Sequence, residues 1–548
     1  MRHHLFSRKS VTLVRALMVG GVLMTATAIG WAITSDLSLV RTLHEPVGEH
    51  IDQYELMGMV RGGQPDEAFE QAFEHGDEFF ETEFNALDGG GANVGDGARF
   101  TRVPRADLEG PGQWASHFPK RETGPNATSC NSCHIQLFDD GSGSAVGNVH
   151  RDPQHAGRLD RFIQRNTPHV FALGPLQRLA EEMTVELQQQ RDAAKDRACQ
   201  FGSSGTWPLS AKGISFGSIR ADRLLSGRGC EVKYITTALQ GVATDLVVRP
   251  FQWKGSVASI RDFNRGAAHN EIGMQAVEIT GVGVDGDGDG VADEVSVGDI
   301  TAVTIYLAAQ PRPTTKMELA SLRLIDPLSG DEVASIQRGA TVFSQVGCAS
   351  CHKPSMKIAD TIFREPSRHP AYRDTKFPAG LDPLSMGVDP EYPVSFDLTH
   401  DQPDNQVHDA AGRVVMRLGS LRKDAQGWGV VDLFGDLKRH NMGAELAEAI
   451  DEVGTGASVF LTENLWGVGS TAPYLHDGRA TTLTEAILAH GSEGADSRTA
   501  FRRLTSGDQR ALIAFLDNLV LFKMDETDAV VVRPPRSVTL NELLRIRR

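Results

Sequence analysis

The sequence predicts a mainly α-helical protein built from two similar halves, with loop-rich and minor β insertions. The motif Cys-x-x-Cys-His occurs twice, beginning at Cys130 and at Cys348, and a helical pattern of apolar residues precedes each copy. The composition is that of a globular chain, with 40% hydrophobic and 23% charged residues. Its 56 glycines and 25 prolines predict many loops.

The net negative charge of the chain argues against nucleic acid as a partner. The 548 residues include 55 basic and 71 acidic side chains, which gives a formal net charge of −16. Such a chain repels polyanions, so we expect no nucleic-acid partner. The length is sufficient for two to four domains with a large hydrophobic core.

The N-terminus, residues 1–34, has the layout of an export signal. Basic residues from Arg2 to Arg15 precede an apolar run over 16–24, and the small residues 26–28 form a cleavage site. The alternative is an uncleaved membrane anchor, because the longer stretch from Ala16 to Ile33, 18 residues, is almost long enough to span a bilayer. Both interpretations place the body of the protein outside the cytoplasmic membrane, and we expect a periplasmic location.

The repeated Cys-x-x-Cys-His motif is typical of covalent haem attachment. Two thiols add to the haem vinyl groups, and the adjacent histidine becomes the proximal iron ligand. A zinc site would bring both cysteine pairs together, and a redox pair needs no following histidine. We therefore expect two haem c groups in two cytochrome c-like domains. The predicted attachment residues are Cys130, Cys133, Cys348 and Cys351, and the proximal ligands are His134 and His352.

The two remaining cysteines, Cys199 and Cys230, lie outside these motifs. In an oxidising compartment they are expected to form a structural disulfide. The alternative is a pair of free, buried thiols.

The N-terminal domain is expected over residues 35–320. Apolar residues between Ala68 and Phe84 predict an amphipathic helix, and residues 176–198 predict a second helix with a polar face. Residues 201–250 mix strand-like runs with turns. A proline-containing stretch near 311–330 is the predicted linker between the domains.

The C-terminal domain is expected over 321–525, before a basic tail at 526–548. A helix around Ile336–Val346 leads into Cys348, as a helix also precedes the first motif. Capping boxes at Thr482 and at Ser506 open two further helices. His490 falls on the apolar face of the first of these helices, where a histidine needs a partner.

An acidic loop suits a hard cation. Asp285, Asp287, Asp289 and Asp293 occupy positions 1, 3, 5 and 9 of a calcium-loop pattern, and Val291 occupies the position that supplies a backbone carbonyl. Position 12 is serine rather than glutamate, which departs from the pattern. The alternative to calcium is a solvated acidic turn.

Four further runs carry a resemblance to a known family. The chain resembles bacterial di-haem cytochrome c peroxidases and the methylamine-dehydrogenase-maturing di-haem enzymes, and it is most similar to the related di-haem oxidoreductases, a branch described as peroxidases or thiol oxidoreductases. The resemblance covers roughly residues 65–522. It rests on the order of both haem motifs and of the runs at 253–261, 436–443, 471–486 and 490–495.

The resemblance implies ligands for both irons. Its distal ligand for the C-terminal haem lies 14 residues after the histidine of a His-Asp-Gly run, and that count from His476 reaches His490. We therefore expect His352 and His490 to be the axial pair of haem 2, with His440 and Met442 as competing candidates. The peroxidases also carry a displaceable histidine at the spacing of His150, whose alternative is a loop histidine.

The haem 1 pocket departs from the family pattern. After Arg165-Asn166-Thr167-Pro168, the Trp-Asp-Gly-Arg run and the catalytic Gln and Glu of the peroxidases are missing. The resemblance therefore carries over neither the bridging tryptophan nor the catalytic acid. Candidate pocket residues are Trp253, Lys254, His269 and Glu271, whose alternative is core packing or surface exposure.

The resemblance implies an exported, peroxidase-like di-haem oxidoreductase. A small periplasmic donor, such as a cytochrome c or a cupredoxin, would reduce haem 2, and haem 1 would reduce hydrogen peroxide. The alternatives are an enzyme that activates dioxygen, as an oxygenase or a protein-modifying oxidase, and a non-catalytic electron carrier.

Overall fold

The computed structural model describes residues 38–523 except 92–98, 102–119, 138–139, 145–147, 159, 225–228, 374–376, 379, 404–405 and 409–413. The predicted signal at 1–34 and the tail at 526–548 lie outside these residues. None of the helices in the described part of the chain is long and apolar enough to cross a membrane.

Helices form most of the regular structure. They are α1 Gln53–Arg61, α2 Pro65–Glu81, α3 Leu173–Phe201, α4 Ile260–Ala267, α5 Val277–Thr280, α6 Val297–Ala309, α7 Lys316–Ser321, α8 Gly330–Gln345, α9 Leu483–Ala489, α10 Ala495–Arg502 and α11 Ser506–Asp517. A π-helical turn, Ala268–Ile272, directly continues α4.

The strands are short and pair antiparallel. They are β1 Asn148–Arg151, β2 Phe162–Arg165, β3 Gly205–Ala211, β4 Ile214–Leu224, β5 Glu231–Ile235, β6 Thr314–Thr315, β7 Met356–Ile358, β8 Ile362–Glu365, β9 Val394–Asp397, β10 Gln406–His408, β11 Val414–Arg417, β12 Gly429–Val431, β13 Arg439–Asn441, β14 Val459–Leu461 and β15 Leu519–Val520. Strands β3, β4 and β5 form a three-stranded sheet, and the others pair two by two. The expectation of a mainly helical chain with minor β insertions is confirmed.

In the N-terminal half, α2 crosses α6 at very close range. A Cβ on Gly76 of α2 would lie 2.7 Å from Tyr306 Cβ and closer still to the carbonyl oxygen of Ala302. One turn further along, the rings of Phe80 and Tyr306 pack with centroids 5.7 Å apart. The ring of Phe80 also lies 5.9 Å from that of His134, the histidine of the first Cys-x-x-Cys-His motif.

The C-terminal half contains the same crossing between α8 and α11. A Cβ on Gly339 would lie 2.6 Å from Phe515 Cβ and closer still to the carbonyl oxygen of Ala511. Four residues after Gly339, the ring of Phe343 packs 5.3 Å from that of Phe515. The ring of Phe343 is also 6.5 Å from that of His352. Each half therefore uses a glycine for the crossing and a phenylalanine four residues later to contact the motif histidine.

The disulfide prediction is confirmed. Cys199, near the end of α3, is bonded to Cys230, which directly precedes β5, and their Cα atoms are 5.7 Å apart. The alternative of two free thiols is wrong. The bond ties the long helix to the sheet of β3, β4 and β5, which also packs along that helix.

Two hydrophobic clusters hold most of the buried side chains. The larger one contains α2, α3 and α6, and it also takes in Ile358, Phe363 and Val431 from the strands that follow the second motif. The smaller one lies around the α8–α11 crossing, with Phe343 and Leu512 at its centre. The domain boundary predicted at residue 320 stays a prediction.

Several predicted elements have different ends. The helix predicted over 176–198 runs from Leu173 to Phe201, and α2 ends at Glu81, so Phe84 is buried just beyond it. The predicted linker contains the short helix α7. The N-cap of α11 is Thr505 rather than Ser506, because the Thr505 side chain accepts the hydrogen bond from the Asp508 amide.

Candidate haem site and its surroundings

Each Cys-x-x-Cys-His motif forms a 3₁₀ turn of its own, Cys130–Ser132 in the first and Cys348–Ser350 in the second. The amide of His134 donates to the Cys130 carbonyl at 3.3 Å, and the amide of His352 donates to the Cys348 carbonyl at 3.0 Å. The turn therefore brings each histidine back beneath its own cysteine pair. None of these four cysteines is in a disulfide.

His352 and His490 face each other across a cavity. Their ring centroids are 6.4 Å apart. His352 Nδ1 lies 3.1 Å from the Phe434 carbonyl oxygen, and His490 Nδ1 lies 2.8 Å from the Ala486 carbonyl oxygen. Since each Nδ1–H donates to the backbone, the Nε2 atom of each ring keeps its lone pair for another partner.

This arrangement fits a metal held between two imidazoles. Two metal–nitrogen bonds of about 2 Å, with roughly 1 Å from each nitrogen to its ring centre, separate the ring centres by about 6 Å. Burial lowers the pKa of His352 to about 4, helped by the nearby His490 ring, and burial also lowers the pKa of His490. Both rings are therefore neutral at physiological pH, which is the ligand form.

The cavity around this pair is mainly apolar, as a porphyrin requires. It extends from the second attachment turn to residues of the N-terminal half. The side chains that line it include Phe343, Phe460, Trp466, Leu512 and Leu516, together with Asn166, His169 and Trp253 from the N-terminal half.

His134 has a similar but less complete setting. Its Nδ1 lies 3.1 Å from the Gly141 carbonyl oxygen, and burial lowers its pKa to about 4. The ring is therefore neutral and oriented as a proximal ligand would be. The contact with Phe80 supports one side of the ring.

His150, the candidate displaceable ligand, lies on β1. Its Nδ1 is 2.9 Å from Glu452 Oε1, and its Nε2 is 3.1 Å from Asn148 Nδ2. The whole residue is 7% exposed, so it is not a solvent-facing loop residue. Because both ring nitrogens have protein neighbours, neither is free for iron in this arrangement, and the ligand role stays a prediction.

His150 belongs to a buried network of charges between the two halves. Arg165 donates to both Glu448 and Glu452, the latter at 2.7 Å. Lys254 Nζ and His476 Nε2 each lie 3.7 Å from the Glu448 carboxylate. These side chains are at most 11% exposed, so charge pairing is required to keep them buried.

Two of the candidate pocket residues lie at this network. The indole nitrogen of Trp253 donates to the Asn166 carbonyl at 2.8 Å, and its ring packs edge-on against His476. Lys254 donates to the Gly456 carbonyl at 2.8 Å and lies 4.3 Å above the Phe460 ring. Trp253 therefore lines the cavity of the facing histidines, whereas Lys254 is buried behind it.

The other two candidates, His269 and Glu271, lie in the π-helical turn Ala268–Ile272. His269 is buried, with Nε2 3.1 Å from the Lys120 carbonyl oxygen. The backbone carbonyl of Glu271 accepts from the amides of Asn126 and Ala127, just before Cys130. The Glu271 carboxylate accepts from Asn148 Nδ2 at 2.6 Å, and burial raises its pKa.

The competing ligand candidates His440 and Met442 also line the cavity. His440 Nε2 lies 2.9 Å from Asp436 Oδ2, and its Nδ1 lies 2.8 Å from Glu493 Oε2. Burial alone would lower its pKa, but hydrogen bonds, first of all with Asp436, raise it to about 11. The ring is therefore an imidazolium, which does not bind a metal.

The acidic loop brings part of its predicted ligand set together. Ligand atoms of Asp285, Asp287 and Asp289 lie within 4.8 Å of one another. Asp293 is turned elsewhere, since its Oδ1 accepts from the Gly283 amide at 2.6 Å. Arg99 pairs with Asp289 at 2.6 Å, so an arginine already neutralises part of the loop charge. Calcium binding here stays a prediction.

Comparison with known proteins supports the resemblance. Residues 425–519 match the family model "Di-haem oxidoreductase, putative peroxidase". A search of curated proteins finds no match. Among solved structures, the chain is similar to a MauG-like protein described as associated with microbial copper homeostasis, at 17% identity and a TM-score of 0.23, over 52% of this chain and 70% of that one. The predicted similarity to di-haem oxidoreductases is confirmed by the family match.

Proposed function

From the premise that residues 425–519 match the di-haem oxidoreductase family, we propose that this protein is an exported, peroxidase-like enzyme with two covalently bound haem c groups. It accepts electrons from a small periplasmic donor, such as a cytochrome c or a cupredoxin, and reduces hydrogen peroxide. The observation that carries the proposal is the facing pair of His352 and His490 beside an attachment turn. Haem supplies electron transfer at one site and peroxide reduction at the other.

The two sites have different tasks in this proposal. Cys348 and Cys351 would attach haem 2, and His352 and His490 would hold its iron, a ligand pair that favours electron transfer over ligand binding. Cys130 and Cys133 would attach haem 1, and His134 would hold its iron. The repeated glycine–phenylalanine crossing supports the view that each half is one cytochrome c-like domain.

Glu271 is our candidate for the acid–base group at haem 1. Its backbone is hydrogen-bonded to the segment that leads into Cys130, and burial raises the pKa of its carboxyl. A carboxyl with a raised pKa keeps its proton to a higher pH than an ordinary glutamate does, which suits a group that donates a proton. It would move the proton of bound peroxide, while Asn148 orients its carboxylate. Glu271→Gln is expected to lower peroxide turnover about 10²-fold or more while both haem spectra stay unchanged.

The test is electron paramagnetic resonance of the oxidised and half-reduced protein, before and after addition of peroxide. We expect one low-spin centre that is lost in His490→Ala and one centre that reacts with peroxide. Two saturated irons that ignore peroxide would instead favour an electron carrier. A stable dioxygen adduct without peroxide turnover would favour an oxygenase. Denatured protein that releases all of its haem would refute covalent attachment.

We also propose that Asp285, Asp287 and Asp289 bind calcium as a structural clamp. Three carboxylates from one short loop suit a hard cation. Isothermal titration with calcium, using Asp287→Asn as the matched variant, tests this proposal. Binding that is equal in both proteins, or absent from both, would contradict it.

A further inference from the structure

One short segment, residues 434–440, contacts His352 of the candidate haem 2 site and also the turn that follows His490. At its first end, the Phe434 carbonyl accepts from His352 Nδ1 at 3.1 Å. The Gly435 amide donates to the Lys353 carbonyl at 3.0 Å. These bonds fix the segment to the attachment turn and orient the proximal ring.

At its other end, the segment holds the turn that follows His490. His440 Nδ1 lies 2.8 Å from Glu493 Oε2, and the Asn441 amide donates to Glu493 Oε1 at 2.8 Å. Glu493 is in the 3₁₀ turn Ser492–Gly494, three residues after His490. Both oxygens of this carboxylate are therefore used to bind the turn to strand β13.

His440 closes the link within the segment. Its Nε2 lies 2.9 Å from the carboxylate of Asp436, which is 2% exposed. The ring thus links two acids, the buried Asp436 at Nε2 and the half-exposed Glu493 at Nδ1. The backbones meet closely here as well, because a Cβ on Gly491 would lie 2.7 Å from the Met442 carbonyl oxygen.

We propose that His440 is a positioning residue for haem 2: held by Asp436 and Glu493, it sets the separation of His352 and His490 and so keeps both imidazoles on the iron. This inference rests on the proposed function, in which these two histidines are the axial pair. It assigns a role to a histidine that lines the cavity without being a ligand. Partners that orient metal ligands typically contribute 10- to 100-fold to metal affinity.

The experiment replaces Glu493, the more exposed of the two acids that bind His440, rather than the buried Asp436. Glu493→Ala removes both bonds to the His490 turn, and its side chain is 50% exposed, so the chain should still fold. We expect haem 2 to change from low-spin to a mixture with high-spin iron, and its cyanide-binding rate to rise about tenfold or more. His440→Gln should have the same direction of effect. Glu493→Gln, which keeps an acceptor for the Asn441 amide, should restore part of the low-spin signal.

Two controls separate the possible failures. Glu445→Ala removes a nearby exposed acid, 3.5 Å from Arg498, and should leave the haem 2 spectrum unchanged. His490→Ala should abolish the low-spin signal of haem 2. If it does so while Glu493→Ala and His440→Gln keep the wild-type spectrum and cyanide rate, the positioning role is refuted and the proposed function stands. If His490→Ala leaves the spectrum unchanged, the axial assignment fails, and the positioning role fails with it.

Discussion

At Gly339, where α8 crosses α11, replacing glycine by alanine is expected to destabilise the protein, which is the opposite of its usual effect inside a helix. In a helix interior, Gly→Ala normally stabilises by about 1 kcal/mol. At Gly339, the added methyl group would lie 2.6 Å from Phe515 Cβ and nearer to the Ala511 carbonyl oxygen, whereas carbon atoms pack best at about 3.5–4.0 Å. The helices must therefore separate by about 1 Å, at an overpacking cost of about 3 kcal/mol. We expect Gly339→Ala to lower the free energy of unfolding by about 2 kcal/mol.

The assay is urea unfolding, followed by circular dichroism and by the absorption of the haem groups. Gly58→Ala is the matched control, because Gly58 lies in the interior of α1 and an added Cβ there meets nothing within 4 Å. That variant should be more stable than wild type by up to about 1 kcal/mol. If Gly339→Ala also unfolds at or above the wild-type urea concentration, the close crossing of α8 and α11 is not a constraint, and the reasoning from it is wrong.

Three further predictions concern buried charge and the disulfide. Arg261→Met removes the nearest cation from the buried carboxylates of Glu278 and Glu365 and should cost about 3–5 kcal/mol in the same urea assay. Burial would raise the pKa of Glu452, but pairing, first with His150, lowers it from 4.5 to about 2. The paired carboxylate therefore stabilises the fold above pH 4.5, and this stabilisation is lost as the pH falls towards 2. Glu452→Gln should therefore weaken the loss of unfolding free energy between pH 4.5 and pH 2, measured by urea unfolding at several pH values. The same loss in the variant and the wild type would contradict the pairing. Replacing Cys199 and Cys230 by serine opens a link across 31 residues and should lower the thermal midpoint, at a cost of about 3–4 kcal/mol.

Features that depend on neighbouring residues were predictable from the sequence. The two attachment turns follow from five consecutive residues each, and the capping box at Thr482 is present as expected, with Glu485 completing it. His490 was found because the helical period places it on the apolar face of α9. The structure brings its ring to 6.4 Å from that of His352, and ligation of iron by the two stays a prediction.

The buried charge network was not predictable, because its members come from segments that show no helical or strand periodicity of apolar residues. Glu448 and Glu452 lie in the loop between β13 and β14, and they pair with Arg165, 283 and 287 residues earlier in the chain. In the sequence, these acids look like ordinary exposed loop residues. Only the tertiary fold removes them from water, and burial then makes pairing with a cation obligatory. The pairing of Glu493 with His440 is equally unpredictable, because the two residues are 53 positions apart in the chain.

The sequence contains a signal for the two helix crossings, namely a glycine inside each of two helices. A glycine inside a helix is unfavourable on its own, so Gly76 and Gly339 appear as weak points when each helix is considered separately. Their cost is offset only when a second helix packs against the bare backbone, as α6 and α11 do. Both glycines are followed four residues later by a phenylalanine, at Phe80 and Phe343, and then by a Cys-x-x-Cys-His motif. A helix glycine that recurs with a phenylalanine four residues later, ahead of each motif, indicates a tertiary requirement. Here that requirement is the support of the motif histidine by the phenylalanine ring.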